Sequence, residues 1–519
     1  MQGPTPGTSG PAVVEKAHTG KVVGISIIAA LGGFLFGYDS SVINGANKAV
    51  FYHFQITNTG MQGFVVAIAL LASAVGAFFG GRFADRYGRK KVMVIAAILF
   101  LIAGVGQAFP FSVGDFMLWR VVGGFAIGLA AVISPMYISE VAPAHLRGRL
   151  SSLFQLAIVV GIFSTQLVNQ IIIGLTPNEI TDPLKSPLVP PVEANNTLAL
   201  GLEAWQWMFL CMVVPAVIYW MLSLTIPESP RYLVAQRKFD KAKEVLASIF
   251  QGDVEPKLNN IQRSLEGDHK PSMRDIKGPR LGLLPLVWVG IILAIFQQFV
   301  GINAVFYYSN LIWSAVGFDE SKAFLTSTII SAVNVLFTFV AIALIDRVGR
   351  KLLLLVGSAG MFVTLAILAF VFASAPKCTD ALIQAGGTSG CTVAADLNSP
   401  ILSDSSGLIA VIALNTYVAF FAATWGPIVW VLLGEMFPNK IRAAALSIGV
   451  MANWIANFIV SESFPTLVSI SLGLAYGIFT VCALLSFFYV LKFVKETKGV
   501  ELEDMESLEG VRLPDKPST

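Results

Sequence analysis

The chain has 519 residues, of which 55% are hydrophobic and only 13% charged, and its mean hydropathy is +0.73. A soluble domain carries about 25% charged residues, so the composition excludes an ordinary soluble protein and points to a polytopic membrane protein. The formal net charge is +3, with the basic residues in short clusters between apolar runs. That argues against a nucleic-acid partner and fits loops that set membrane topology.

Residues 1–21 are rich in Gly, Pro and Thr. They lack the charged region and small-residue cleavage site of a secretory leader, so the first apolar segment is expected to be retained. About 20 apolar residues make one spanning helix. Twelve such segments follow, with cores at 22–47, 62–82, 92–109, 117–139, 150–174, 205–226, 284–306, 324–345, 352–375, 407–434, 443–464 and 472–491. The first holds L-G-G-F-L-F-G-Y-D-S-S-V-I-N-G-A-N from Leu31 to Asn47, with one acidic residue, Asp39, in its middle. A carboxylate at bilayer depth is costly and needs a partner, a proton or a water-filled path. Asp39 is therefore read as a proton-binding site.

Loop charges set the orientation. Arg82, Arg86, Arg89, Lys90 and Lys91 lie between segments two and three, and His145, Arg147 and Arg149 between four and five. Arg347, Arg350 and Lys351 lie between eight and nine, and Lys440 and Arg442 between ten and eleven. The intervening loops hold almost no base: 175–204 has only Lys185, and 376–406 only Lys377. The positive-inside rule then places both termini in the cytoplasm. The expected division is a cytoplasmic tail (1–21), a six-helix bundle (22–226), a cytoplasmic helical linker (227–282), a second six-helix bundle (283–491) and a charged cytoplasmic tail (492–519).

Cys211 and Cys482 fall in apolar runs, where a thiol acts as a small buried hydrophobe. Cys378 and Cys391 flank a polar loop, and two states stay open for them: a disulfide if that loop is exoplasmic, or two unpaired thiols. Asn195-Asn196-Thr197 is a glycosylation sequon in a loop expected to face outward.

The two halves echo each other. D-R-Y-G-R-K at Asp85–Lys90 recurs as D-R-V-G-R-K at Asp346–Lys351, and E-V-A-P-A-H-L-R at Glu140–Arg147 recurs as E-M-F-P-N-K-I-R at Glu435–Arg442. Each pair follows the same-numbered span of its half. Internal repeats of this kind mark secondary transporters, with the substrate site near the midplane between the repeats.

Other motifs are R-V-V-G-G (Arg120–Gly124), P-M-Y-I-S-E-V-A-P (Pro135–Pro143), P-E-S-P-R (Pro227–Arg231), Q-Q-F-V-G-I-N-A-V-F-Y-Y (Gln297–Tyr308), W-G-P-I-V-W (Trp425–Trp430) and K-E-T-K-G (Lys495–Gly499). In this order, and with G-R-F-A-D-R-Y-G-R-K, they resemble the sugar porters of the major facilitator superfamily over nearly the full length. The resemblance implies an all-α membrane protein: twelve transmembrane helices in two pseudo-symmetric six-helix bundles, with a cytoplasmic helical domain.

It also implies roles. Arg120 would partner Asp39. Desolvation favours the neutral acid and a nearby guanidinium the charged one, so the balance can change with conformation. An acid at position 39 is similar to the proton-coupled members, while facilitative relatives usually carry Asn there. Sugar hydroxyls ask for amides that donate and accept, with an aromatic face for the ring. Gln297, Gln298 and Asn303 offer amides on span seven, which must be irregular there, and Gly301 permits that. By resemblance Gln155, Asn334, Trp430, Asn453 and Gly426 join them, and Phe36, Trp425, Tyr307 and Tyr308 would line or gate the cavity. Each amide has a plainer alternative, an interhelical hydrogen bond. Asn457 carries the same pair of readings. Asn453 stands where hexose carriers of the family hold Asn and some pentose symporters Gln.

Arg82, Glu140, Arg147, Arg347, Glu435 and Arg442 sit at span ends in matching places and, by resemblance, pair across the halves when the inside is closed. Glu462 departs from the family pattern and reads either as a solvated helix-end acid or as a second titrating group. The resulting expectation is hexose:proton symport, glucose first, in the cell membrane, by a carrier functional as a monomer among lipid. The proton is the coupling ion and no cofactor is implied. A facilitative uniporter, or a symporter of a pentose or of a cyclitol such as inositol, is the alternative. A non-transporting sensor fits poorly with so short a tail. An enzyme or ATP-driven pump is unsupported: there are four histidines in all, and no metal cluster, nucleophile elbow or G-x-x-x-x-G-K-[ST] loop.

Overall fold

Apolar runs punctuated by polar caps become long helices. The computed structural model describes residues 17–143, 146–180, 182–183, 185–186, 188–267, 276–279, 281–381, 399–438 and 441–497. The first half holds α1 (Thr19–His53), α2 (Thr59–Tyr87), α3 (Arg89–Ala108), α4 (Val113–Val141), α5 (Arg147–Leu175), α6 (Ala204–Leu210) and α7 (Val213–Thr225). Short helices α8 (Pro230–Ala235), α9 (Phe239–Ile249) and α10 (Glu255–Gly267) follow. The second half holds α11 (Pro285–Phe299), α12 (Ile302–Ala315), α13 (Glu320–Val348), α14 (Arg350–Ser374), α15 (Asp404–Ala423), α16 (Trp425–Met436), α17 (Arg442–Ile470) and α18 (Leu472–Phe493). Counting α6–α7, α11–α12 and α15–α16 as one span each, twelve spans among the described residues are long and apolar enough to cross a membrane. Each apolar core expected from the sequence falls within one of them, overrunning it by a residue at most.

The two ends of the bundle are built differently. Opposite the basic loops, helices start on side-chain caps that satisfy free backbone donors. Asn58 accepts from Met61 N at 2.9 Å, Ser112 from Asp115 N at 3.1 Å and Asp319 from Lys322 N at 2.8 Å. Ser403 and Ser471 do the same for α15 and α18. At the basic end the chain turns through Gly88 (φ +95°) and Gly349 (φ +103°), each followed at once by the next helix. A Cβ at Gly88 would lie 2.2 Å from Glu228 Oε2, and one at Gly349 2.6 Å from Glu496 Oε2. Glycine is required there both for the dihedral angle and for the approach.

The short helices dock on the first half at its basic end. His18 N donates to Ile249 O at 2.9 Å, and Tyr137 donates to Pro227 O at 2.7 Å. A single 3-10 turn (Glu193–Asn195) and two antiparallel ribbons complete the described elements: β1 (Thr197–Ala199) with β2 (Leu202–Glu203), and β3 (Lys277–Gly278) with β4 (Gly282–Leu283).

The halves meet toward the capped end. Asn44 on α1 donates to Ser309 on α12 at 2.9 Å and accepts from Asn310 N at 3.1 Å. Asn47 donates to Tyr307 O at 3.3 Å. Thr328 on α13 donates to Gln166 O on α5 at 3.2 Å, and Thr466 on α17 to Thr59 on α2 at 3.2 Å. Glu320, at the start of α13, accepts from Glu193 N and Ala194 N of the α5–α6 loop, at 2.8 and 3.4 Å.

Candidate functional site

Asp39 sits in the middle of α1 with no exposed surface, and Arg120 on α4 is 2% exposed. The direct carboxylate–guanidinium pair expected from the sequence is not what the structure builds. Arg120 Nη1 donates to the backbone oxygen of Asp39 at 3.3 Å, and Nη2 to Val66 O at 3.0 Å. The Asp39 carboxylate accepts instead from Gln107 Nε2 of α3, at 3.2 Å on Oδ1, while Gln107 Oε1 accepts from Arg120 Nη1 at 3.5 Å. Among the described residues, Asp39 Oδ2 and Arg120 Nε have no hydrogen-bond partner. Sequence reasoning missed Gln107; its signal is that it is the one amide in an apolar helix.

The amides on span seven form a chain. Gly301, at φ +90°, breaks the span between α11 and α12 and swings Asn303 back toward Gln298. Asn303 donates to Gln298 Oε1 at 2.5 Å, Gln298 to Asn453 Oδ1 at 3.1 Å, and Asn453 to Gln297 Oε1 at 2.7 Å. Gln297 Nε2 then reaches the carbonyls of Trp425 (3.2 Å) and Gly426 (3.1 Å), where span ten breaks at Thr424. Four side chains from two spans thus lie in one hydrogen-bonded line, ending on the broken backbone of a third. Gln155 on α5 and Trp430 on α16 are half-buried, and Asn334 on α13 is 5% exposed. Among the described residues none of these three side chains has a hydrogen-bond partner. A polar group facing lipid without a partner is costly, which favours positions away from lipid for all three. Phe36 is half-buried and packs its ring 5.6 Å from Trp454, a residue that sequence reasoning did not single out.

Trp425 is a correction. It has no exposed surface, and its indole donates to Leu354 O and Ser358 Oγ of α14, both at 3.0 Å. It braces span ten against α14 rather than presenting a surface to a ligand. Tyr308 is also fully buried and donates to Ser461 O at 2.8 Å, while Tyr307, 5% exposed, faces Asn457 and Ser40. Glu462 is half-buried near the capped end of α17.

The basic end carries two copies of one charge lock. Arg89 holds Glu140 through Nε (3.0 Å) and Nη2 (2.9 Å), and Glu228 accepts from the N–H groups of Arg89 and Lys90. Arg350 holds Glu435 through Nε (3.1 Å) and Nη2 (2.8 Å), and Glu496 accepts from the N–H groups of Arg350 and Lys351. Ser229 and Thr497 each donate to the glutamate of their own half. The P-E-S and K-E-T motifs are therefore a third echo between the halves. Glu140 and Glu435 pair inside their own halves, through arginines that were not the ones singled out. Arg82 and Arg347 are exposed, Arg82 lying 4.7 Å over the Phe78 ring. Arg442 donates to Phe437 O at 3.1 Å. The Arg147 side chain and Cys391 lie outside the described residues; Cys378 is disulfide-bonded. Asn195 of the sequon is 3% exposed, its amide spent on Ala49 O and Glu203.

Comparison with known proteins agrees with this architecture. The family described as "Sugar (and other) transporter" matches residues 25–508. The chain is 48% identical over 492 residues to the glucose transport protein of Synechocystis sp., covering 95% of this chain and 98% of that one. It is 33% identical over 522 residues to the D-xylose-proton symporter of Escherichia coli, covering 94% and 95%. The inward open conformation of the xylose transporter XylE from E. coli superposes with a TM-score of 0.73 at 32% identity, covering 94% of this chain and 99% of that one. With a family match over almost the whole chain, twelve spans and a repeated lock in each half, this protein belongs to the sugar transporter family, the sugar porters of the major facilitator superfamily.

Proposed function

We propose that the protein carries a hexose, glucose first, together with a proton by alternating access. It does so as a monomer in the cell membrane with both termini in the cytoplasm. The observation that carries the reading is the buried Asp39 carboxyl, which keeps one oxygen unpartnered on the helix that ties the halves together. Asp39, Asn44 and Asn47 all lie on α1, and the two asparagines bond α12 of the other half. A change in the charge of Asp39 is therefore felt by the element that closes the capped end. A ligand, here the proton, shifts such an equilibrium only through its different affinity for the two states.

With the basic end cytoplasmic, the hydrogen bonds between the halves lie toward the outer face. In the outward state a proton from outside neutralises Asp39, sugar binds on the Asn303–Gln298–Asn453–Gln297 line with Gln155, Asn334 and Trp430 opposite, and the outside closes. Release of the proton and sugar inside resets the carrier. The Arg89–Glu140 and Arg350–Glu435 locks hold the inner ends of each half as rigid units. The 48% identical relative is named a glucose transport protein, and a 33% identical one a D-xylose-proton symporter. The pentose is thus the second substrate to test. Uptake of labelled glucose and xylose into proteoliposomes, with and without an inward proton gradient, decides the matter. Gradient-dependent glucose accumulation supports the proposal. Equilibration without accumulation makes the protein a uniporter, and xylose outcompeting glucose reassigns the sugar.

A further inference from the structure

Gln107 uses both ends of its amide inside a buried site: Nε2 on Asp39 Oδ1 at 3.2 Å, and Oε1 on Arg120 Nη1 at 3.5 Å. Chemistry fixes which end faces which group. Turned over, the amide would set oxygen against carboxylate and N–H against guanidinium. Arg120 reaches Asp39 only at its backbone oxygen, so Gln107 is the polar connection between the two charged groups. Gly123 leaves no slack on the other side, since a Cβ there would lie 2.6 Å from Asp39 Oδ2.

We propose that Gln107 is a positioning residue for proton coupling, holding the ionised Asp39 carboxylate by its N–H and passing the change of charge to Arg120 through its carbonyl. The inference rests on the reading of Asp39 as the proton site. The proton adds to the unpartnered Oδ2 and leaves from it, with no other bond made or broken. While Asp39 is ionised, its oxygen accepts a charge-assisted bond from Gln107, and the polarised amide accepts more strongly from Arg120. Neutralising the acid weakens both bonds at once and loosens α3 from α1 and α4, while Arg120 keeps its bond to the Asp39 backbone oxygen. The other titratable groups facing this triad are Tyr307 and Tyr308 of α12, with Glu462 of α17 beyond Tyr308. From α5, Thr165, Gln166 and Asn169 face α1, and none of them titrates.

The test is glucose uptake into proteoliposomes as external pH is scanned, for wild type, Gln107→Met and Gln107→Asn. Methionine keeps the length and fills the space without a donor; asparagine keeps the amide one methylene short. Losing the N–H removes a bond that is stronger to the charged form than to the neutral acid, so the proton is held more tightly. The pH at which uptake falls to half should rise by about one unit in Gln107→Met, a tenfold change in proton affinity. Gln107→Asn should fall between the two, which a merely structural role would not produce. A rise in Tm on adding glucose checks that each variant is folded. Should Gln107→Met fail that check, the rise in Gln107→Asn carries the test alone. An unchanged or lowered midpoint, with wild-type uptake still driven by the gradient, overturns the role of Gln107 and leaves Asp39 standing. Wild-type uptake that ignores the gradient removes the ground for both.

Discussion

Arg120 meets Asp39 at its backbone oxygen, 3.3 Å away, and leaves the carboxylate to an amide from a third helix. The two charges are neighbours without being a bonded pair. A direct buried pair would resist separation, because either partner left alone would be an uncompensated charge. With an amide between them, the proposed gain and loss of a proton by the acid would leave the guanidinium its carbonyl ligands at Val66 and Asp39.

The amide chain should govern sugar affinity. Asn453→Ala removes a group that bonds Gln298, Gln297 and the Ala294 carbonyl. Unmet polar groups cost about 1–3 kcal/mol each, so KM should rise about 10- to 100-fold. Trp425→Phe should act differently: the indole bonds only to α14, so Tm should fall while KM stays within about twofold. Uptake kinetics and thermal unfolding in detergent separate the two.

The two charge locks should not be equal. Arg89 and Glu140 are 8% and 9% exposed, against 11% and 28% for Arg350 and Glu435. Stranding a buried charge costs about 3–5 kcal/mol, less where water reaches it. Glu140→Gln should therefore lower Tm more than Glu435→Gln. An equal or reversed order in the same unfolding assay would contradict the assignment.

Glu320 should help keep the outside shut. Its carboxylate takes two backbone N–H groups from the opposite half. Bonds to a charged group are worth about 1.5–3 kcal/mol. Glu320→Ala should raise the outward-facing fraction roughly tenfold or more, read by modification of a cysteine placed near Asn44. Unchanged accessibility would mean that the clasp is idle.

Glu203 lies outside the spans and predicts an acid limit to stability. Burial pushes its carboxyl up, but bonds from His53, Trp205 and Asn195 outweigh that and hold it below the ordinary range. The stabilisation is present above the unfolded value of about 4.3 and is lost as pH falls through the folded one. Glu203→Gln should lower Tm at pH 7, and the difference should close toward pH 3.

The spans were legible because about 20 apolar residues leave one option at bilayer depth. The repeat was legible from two motif pairs. What the sequence withheld was orientation. Asp85–Lys90 contains two arginines, and only the turn at Gly88 decides that Arg89 folds in while Arg86 stays out. Gln107 looks like any lone amide until α3 is packed on α1 and α4. Trp425 and Trp430 bracket one motif, yet the break at Thr424 sends the first toward α14 and leaves the second half-buried. The sequon at Asn195 was legible as a pattern, but folding spends its amide on Ala49 and Glu203.

The most direct measurement of the central claim is the pH of a lightly buffered suspension of proteoliposomes given a pulse of glucose. The account predicts that the medium turns alkaline as sugar and proton enter together, and that Asp39→Asn abolishes this while still exchanging labelled for unlabelled glucose. A wild-type pulse that moves sugar without moving protons, or an Asp39→Asn carrier that still accumulates glucose, would contradict it.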